Sequence, residues 1–475
     1  MTPAPGTHAL DVITKIVATI GPASSNPDMI RTLILAGMNL ARLNFSHGTH
    51  ADHARVVETI RGIAQDLQRP VAILGDLQGP RIRIGDLAEA RTITEGQQLA
   101  LVPEELAAPG EIPVTYDALA TDVRVGGTIL VDDGLLSMTV DRIVGPRVFC
   151  TVGYGGLLKS HKGINLPGID VSAPSLTEKD RADIPFAIEQ DLDYLALSFV
   201  RRPEDILELR ALIPKGMLIV AKIEKDSALE RIEAILKVVD AVMVARGDLG
   251  VELPFEQVPL QQKRIIGLAN RYGRPVITAT QMLESMVQHP RPTRAEASDV
   301  ANAILDGTDA VMLSAETAAG LHPELALRAM RRIATAAEQA PVMRGQGIDR
   351  LQPGQATVEE TIASAAVTAV RLLGASTIVV FTKSGFSARI VAARRPNVRI
   401  AVLTDNVRTY RQLAMVWGVV SFLVPHCDTY DQMAALARSL LVQHGLAKPG
   451  DRVVVTAGVP FDVPGTTNLL KVETV

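Results

Sequence analysis

The sequence is poor in cysteine and in aromatic residues. Only two cysteines, Cys150 and Cys427, occur in 475 residues. They lie far apart and neither sits in a metal-ligand or redox spacing, so a reducing compartment is expected. Aromatic residues make up 3%, which argues against recognition of bases or sugars by stacking. No basic run is present, and 48 Lys and Arg against 52 Asp and Glu leave a net charge of −4. That balance speaks against a nucleic-acid partner. No segment has the apolar length of a membrane helix. The opening MTPAPGTHALDVITKIV lacks a basic region followed by a long apolar run. A soluble cytoplasmic protein with no membrane partner is expected.

What is present points to a large enzyme. Hydrophobic residues make up 47%, ample for sizeable cores, and the length implies two or three domains. From Thr14 the chain alternates apolar, β-branched runs with capped amphipathic helices. KIVATIGP, MNLARLNFSH and VAILGDLQGP read as strands; NPDMIRTLILAG, closed by Gly37, and HADHARVVETIRGIAQDL read as helices. Near-continuous apolar strands with helices between them indicate a parallel sheet covered on both faces. At Gly79-Pro80 the rhythm breaks. Short β-type runs such as IRIGD, RTITEG and LLSMTVDRIV follow, separated by Gly, Pro and Asp turns, as in a small all-β domain inserted as a lid. The alternation resumes at LTEKDRADIPFAIEQ and brings the strand–helix count to about eight, the number a closed (β/α)8 barrel requires. Pro341 to Gly354 reads as a linker, and the last third as an open α/β domain with its own sheet. The fold class is therefore α/β: a TIM barrel with an inserted small β-barrel domain and a C-terminal open α/β domain. The expected divisions are residues 1–79 and 167–341 for the barrel, 80–166 for the lid and 342–475 for the C-terminal domain.

The strand ends carry the chemistry. Lys222 and Glu224 end strand five, and Arg246 and Asp248 end strand six. Charge at the carboxyl end of a buried strand is costly unless it is used, and barrel active sites sit at this face. Arg42, Asn44, Ser46 and His47 end strand two; Asp76 and Arg83 flank the entry to the insert. Ser198 and Arg201, Thr280 and Gln281, and Ser314 and Glu316 end strands four, seven and eight. The rim lacks the paired histidines of zinc sites, and its oxygen ligands suit Mg²⁺ or Mn²⁺. Its excess of cations suits a phosphate or carboxylate on the substrate, and the set matches the needs of phosphoryl transfer. The bland alternative is a ring of rim salt bridges. In the last third, the turn TKSGFSA follows a strand and opens a helix. Thr382, Ser384, Gly385 and Ser387 there make either a phosphate cradle or an ordinary helix cap.

RLNFSHG, KIEK, VARGDLGVELP, ATQMLESM, MLSAETAAGLHP and GTTNLLKV together resemble the pyruvate kinase family over essentially the whole chain. The resemblance implies that Glu224 and Asp248 hold Mg²⁺ or Mn²⁺ beside phosphoenolpyruvate. It implies that Lys222 neutralises the moving phosphoryl group and that Arg42 binds the substrate phosphate. Gly247, Asp248 and Thr280 would hold the carboxylate, and Thr280 and Ser314 would relay a proton to the enolate through water. Asn44, Phe45, Ser46, His47, Arg83 and Lys179 match positions that contact ADP or ATP. Asn44, Ser46, Asp76 and the Leu77 carbonyl match a K⁺ site. Members that require K⁺ read Asp-Thr-Lys-Gly-Pro-Glu at the hinge, whereas this chain has Asp76-Leu77-Gln78-Gly79-Pro80-Arg81. The Arg81 charge is therefore expected to replace K⁺, which should not be required. Thr382, Lys383, Ser384, Gly385, Phe386 and Ser387 lie where the family binds a phosphorylated allosteric effector. Phe386 replaces a residue that is often basic, which favours a monophosphate over a bisphosphate. The resemblance further implies a homotetramer acting in the last step of glycolysis. Two other readings are a metal-dependent aldolase or lyase on a related barrel and a non-catalytic sugar-phosphate sensor.

Overall fold

The computed structural model describes residues 12–340, 356–458 and 467–475. The linker expected at Pro341 to Gly354 lies outside the described residues, as do Gly465 and Thr466 of GTTNLLKV. Eight parallel strands form a closed barrel: β1 (Lys15–Thr19), β2 (Leu40–Asn44), β3 (Ala72–Asp76), β4 (Tyr194–Leu197), β5 (Leu218–Ile223), β6 (Ala241–Ala245), β7 (Val276–Ala279) and β8 (Ala310–Leu313). Each pairs with its neighbour in sequence, and β8 closes on β1 with Lys15 opposite Ala310.

Side chains alternate between the two faces of each strand. Val17, Leu40, Leu74, Ala196, Val220, Met243 and Met312 share one buried cluster, the barrel interior. Ile16, Ala41, Ile73, Leu195, Ala221, Val242 and Val311 belong to another, under the surrounding helices. Both faces of the strands are buried, which is why the runs are apolar throughout. Two residues beyond six of these interior positions the same face carries Thr19, Arg42, Asp76, Ser198, Lys222 and Ser314, while Ala245 follows Met243. The barrel thus has apolar layers beneath and a polar layer on top.

The helices are cut to length by their caps. Helix Pro27–Ala36 starts at Asn26, whose side chain accepts from the Met29 amide, and stops at Gly37 with φ +121°. Helix Glu178–Glu189 begins with a capping box in which Thr177 and Asp180 satisfy each other's amides. Asp180 also accepts from the amide of Gly79 at 3.2 Å, so this cap also fixes the exit from β3.

Between β3 and that helix lies a β unit with its own core, which includes Ile84, Leu101, Ile112, Val131 and Cys150. Its strands form a seven-stranded sheet and a separate two-stranded one. A bridge between Ile84 and Val114 joins the two edges of the larger sheet and closes it on itself. Burial pushes the Cys150 thiol up to about 12, so it acts as an unreactive apolar group.

The last third forms a five-stranded sheet: β9 (Thr377–Phe381), β10 (Arg399–Thr404), β11 (Val419–Leu423), β12 (Arg452–Ala457) and β13 (Leu469–Thr474), in the order β11-β10-β9-β12-β13. Only β13 runs antiparallel, along one edge. Ala414 and Met415 of this unit pack into the interior cluster of the barrel. Beside them Arg395 donates to both carboxylate oxygens of Asp309, at 3.0 and 2.9 Å, and stacks on Trp417.

Lys15 is buried at this junction and donates to the Val419 carbonyl at 2.7 Å. Burial, with Arg399 nearby, pushes its ammonium down to about 7 from 10.5. A lysine with a lowered folded pKa carries its full penalty below pH 7 and sheds it as pH rises towards the unfolded value. Wild-type stability should therefore gain with pH between about 7 and 10 by an amount that Lys15→Met lacks. Denaturant midpoints of the two proteins across this range measure that difference, and parallel curves would refute the assignment.

Candidate active site

Lys222 lies at the centre of the polar layer. Its ammonium donates to Ser198 Oγ at 2.8 Å and lies 2.9 Å from Glu224 Oε1 and 3.5 Å from Asp76 Oδ1. The Ser198 hydroxyl in turn donates to the Leu77 carbonyl at 2.7 Å. Asp76 Oδ2 accepts from Arg42 Nε at 2.7 Å, and Arg42 also donates to Thr19 Oγ1 at 3.1 Å. Arg42, Asp76, Ser198, Lys222 and Glu224, from β2 to β5, therefore form one connected network.

The charges set one another. Burial alone would lower the Lys222 pKa, but Asp76, Glu224 and Asp248 hold it above its ordinary value. Asp76 feels the opposite pull: burial would raise its carboxyl, yet Lys222 and Arg42 keep it lowered. For Glu224 burial wins, and the charge of Asp248 adds to it, so its carboxyl lies above the usual range despite Lys222 and the Phe199 amide. Glu224 Oε2 accepts from that amide at 2.7 Å. Glu224 Oε1 is buried and close to Lys222, yet receives no aligned hydrogen bond; the same holds for Asp76 Oδ1. A buried acceptor without a donor is costly unless another group fills the place.

Asp248 stands in the first turn of helix Arg246–Glu252, which follows β6. The amide of Gly247 in the same turn donates to Thr280 Oγ1 at 2.7 Å. Thr280 and Gln281 have φ of +68° and +53°, a region that opposes a β-branched side chain. Arg246 holds this turn by donating to the Thr280 carbonyl at 2.8 Å, and it pairs with Asp299 at 2.7 Å. Arg246 thus braces the rim, whereas the charge of Asp248 is felt by Lys222 and Glu224. Ser314 caps β8, its amide bonded at 2.7 Å to Glu316, which is fully buried.

The other expected contacts lie along the rim. Lys179 donates to the Phe45 carbonyl at 2.7 Å, Asn44 Oδ1 accepts from the Ser46 amide, and His53 contacts the His47 carbonyl. This brings Lys179 to the Asn44–His47 loop. Arg83, on the first strand of the insert, bonds the His161 carbonyl at 3.3 Å. Arg81 is exposed, without an ion pair among the described residues. The Thr382–Ser387 turn belongs to the other sheet. There the Gly385 amide, at φ +74°, donates to Thr382 Oγ1, Lys383 lies 4.0 Å from Asp405, and Ser387 is bonded to Thr467.

The sequence names Ser198 and Asp76 as strand-end residues but not as the acceptor for Lys222 and the bridge between Lys222 and Arg42, and it does not point to the Phe199 amide on Glu224 at all. Their signal was parity along β3 and β4, which becomes usable once the register across the barrel is known.

Comparison with known proteins agrees with this geometry. Residues 12–327 match the family description "Pyruvate kinase, barrel domain" and residues 360–473 match "Pyruvate kinase, alpha/beta domain". The chain is 49% identical over 471 residues to a pyruvate kinase of Geobacillus stearothermophilus, covering 97% of this chain and 80% of that protein. It is 45% identical over 469 residues to one of Staphylococcus aureus strain MRSA252, with the same coverage. A crystal structure of a pyruvate kinase from Cryptosporidium parvum superimposes with a TM-score of 0.93 at 36% identity, covering 98% of this chain and 96% of that one. The chain therefore belongs to the pyruvate kinase family and is a phosphotransferase.

Proposed function

We propose that the chain transfers the phosphoryl group of phosphoenolpyruvate to ADP, giving pyruvate and ATP, as the last step of glycolysis in the cytoplasm. The observation that carries this reading is the buried Lys222 ammonium, held between Asp76 and Glu224 with Asp248 beside them.

A divalent cation fits the carboxylates. Glu224 and Asp248 offer hard oxygen donors, and Glu224 Oε1 is buried with the Lys222 ammonium 2.9 Å away but no aligned hydrogen bond. Among the described residues no third acidic, histidine or cysteine side chain joins them. Mg²⁺ or Mn²⁺ bound there, completed by substrate and water, would stabilise negative charge on the enol and phosphoryl oxygens. Lys222 meets the negative charge of the migrating group, and Arg42 binds the substrate phosphate. The amides of Gly247 and Asp248, with Thr280, receive the carboxylate. The bond from phosphorus to the enol oxygen breaks as one to the terminal oxygen of ADP forms. The enolate then takes a proton on its methylene carbon, relayed through water from Thr280 and Ser314. Asn44, Phe45, Ser46, His47, Arg83 and Lys179 hold the nucleotide.

K⁺ is not required in this reading. The Leu77 carbonyl already accepts from Ser198 and Asn44 Oδ1 from the Ser46 amide, and the charge of Asp76 is met by Arg42 at Oδ2 and by Lys222 3.5 Å from Oδ1. Arg81 supplies charge at the hinge when the lid closes. The Thr382–Ser387 turn takes a phosphorylated effector, a sugar monophosphate or a nucleotide monophosphate, and the active form is a homotetramer.

A coupled assay for pyruvate, with ATP measured in parallel, tests these points together. With Mg²⁺ present, ATP should form from phosphoenolpyruvate only when ADP is added; pyruvate without ATP would favour a lyase. Replacing K⁺ by tetramethylammonium should change the rate by less than about twofold, whereas a large loss would refute the Arg81 reading. Monophosphates titrated into the same assay should shift the substrate saturation curve, and an unmoved curve would remove the effector.

A further inference from the structure

Asp183 lies one helical turn beyond Lys179 on helix Glu178–Glu189, with its side chain only 3% exposed. Both its oxygens are taken. Oδ2 accepts from Lys179 Nζ at 2.7 Å, and Oδ1 lies 2.7 Å from Nε2 of His50. His50 opens helix His50–Asp66 just after the Asn44–His47 loop. Its ring stacks on Phe186 at 4.4 Å with the two planes nearly parallel, and Phe186 in turn meets Phe45 edge-on. A carboxylate facing Nε2 requires the proton to be on that nitrogen.

We propose that Asp183 is a positioning residue for the nucleotide, acting through Lys179. This rests on the reading of Lys179 as a nucleotide contact. The ammonium has three N–H donors. Asp183 takes one and the Phe45 carbonyl a second, which leaves a single donor on a side chain that is 45% exposed. Lysine is a flexible point charge that ordinarily gives poor directional control. The buried carboxylate removes that freedom and clamps the ammonium to the loop carrying Asn44, Ser46 and His47. The same helix holds Gly79 through Asp180, so the nucleotide loop and the hinge of the insert share one anchor.

The test is a double-mutant cycle read on both substrates. Asp183→Asn removes the charge and keeps the shape. The KM for ADP should rise about tenfold, the scale of one lost charge-assisted hydrogen bond. The KM for phosphoenolpyruvate should stay within about twofold. Exchange of the methyl protons of pyruvate in the presence of Mg²⁺, which needs the strand-end site and no nucleotide, should also stay within about twofold. Lys179→Met should itself raise the KM for ADP, and adding Asp183→Asn to it should cost nothing further. Equal losses for both substrates, slowed proton exchange or additive effects would overturn the proposal. A Lys179→Met enzyme with an unchanged KM for ADP would fail the underlying nucleotide reading, and this inference with it. Asp183→Glu, which restores the charge, should recover part of the affinity, and no recovery would count against the clamp.

Discussion

Lys222→Met will lower kcat by roughly three to five orders of magnitude, the range seen when the cation facing a migrating phosphoryl group is lost. Methionine keeps the volume of the side chain and removes only the ammonium. In the folded protein that ammonium bonds Ser198 and lies beside Glu224 and Asp76. The same three carboxylates that keep it charged also prevent it from acting as a neutral amine. The role proposed for it is therefore electrostatic rather than nucleophilic. Without it, Asp76 still has Arg42, so the network loses its centre but not all its compensation. The variant should fold, with a melting temperature lowered by a few degrees. Steady-state rates with phosphoenolpyruvate and ADP, alongside a melting curve, provide the check. A variant that retains a tenth of the wild-type rate would show that the charge is supplied from elsewhere.

Glu224→Gln will weaken Mn²⁺ binding by at least about tenfold to a hundredfold, since even residues that only orient metal ligands cost that much. The rate at fixed metal should fall with it. Glutamine can still accept from the Phe199 amide through its carbonyl oxygen, so the backbone contact survives. What disappears is the negative charge at Oε1, the buried oxygen with no aligned hydrogen bond. The pH dependence gives a second signature. Burial and the charge of Asp248 raise the Glu224 carboxyl, so protons would compete with a metal there at higher pH than at an ordinary carboxylate. Wild-type Mn²⁺ affinity should weaken as pH falls through the folded-state pKa of Glu224, while the variant should lack that component. Titration of Mn²⁺ followed by electron paramagnetic resonance measures both effects. Unchanged affinity in the variant would remove Glu224 from the metal site.

Much of the barrel was legible because its strands are buried on both faces. KIVATIGP and DAVMVARGDLG need no polar alternation, and their unbroken apolar runs distinguish them from the short alternating runs after Gly79. The caps at Asn26 and Thr177 mark helix starts as directly as their side chains satisfy amides. Lys222, Glu224 and Asp248 were legible because charge at the end of such a strand has few tolerable uses. The partners of those residues were not. Asp76 faces Lys222 only because β3 and β5 flank β4 with matched parity, and nothing local to VAILGDLQGP specifies that register. The opposite fates of Arg246 and Asp248, two residues apart, depend on where helix Arg246–Glu252 begins. Strand β13 was equally hidden, since its antiparallel direction is set by its place along β12 rather than by its own pattern.

Ala414 and Met415, contributed by the C-terminal unit, pack in the same interior cluster as residues from all eight barrel strands. The floor of the barrel is therefore stoppered by a segment that the barrel sequence does not encode. The dependence runs one way: the C-terminal unit draws its two cores from its own residues, whereas the barrel interior borrows Ala414 and Met415 from it. Any rotation of the C-terminal unit also shears contacts at the base of the strands whose upper ends carry Arg42, Asp76 and Lys222. Leu413 and Val416, on either side of Ala414 and Met415, belong to the C-terminal core, so the sheet that carries the TKSG turn and the strands that end in the polar rim meet at one four-residue segment.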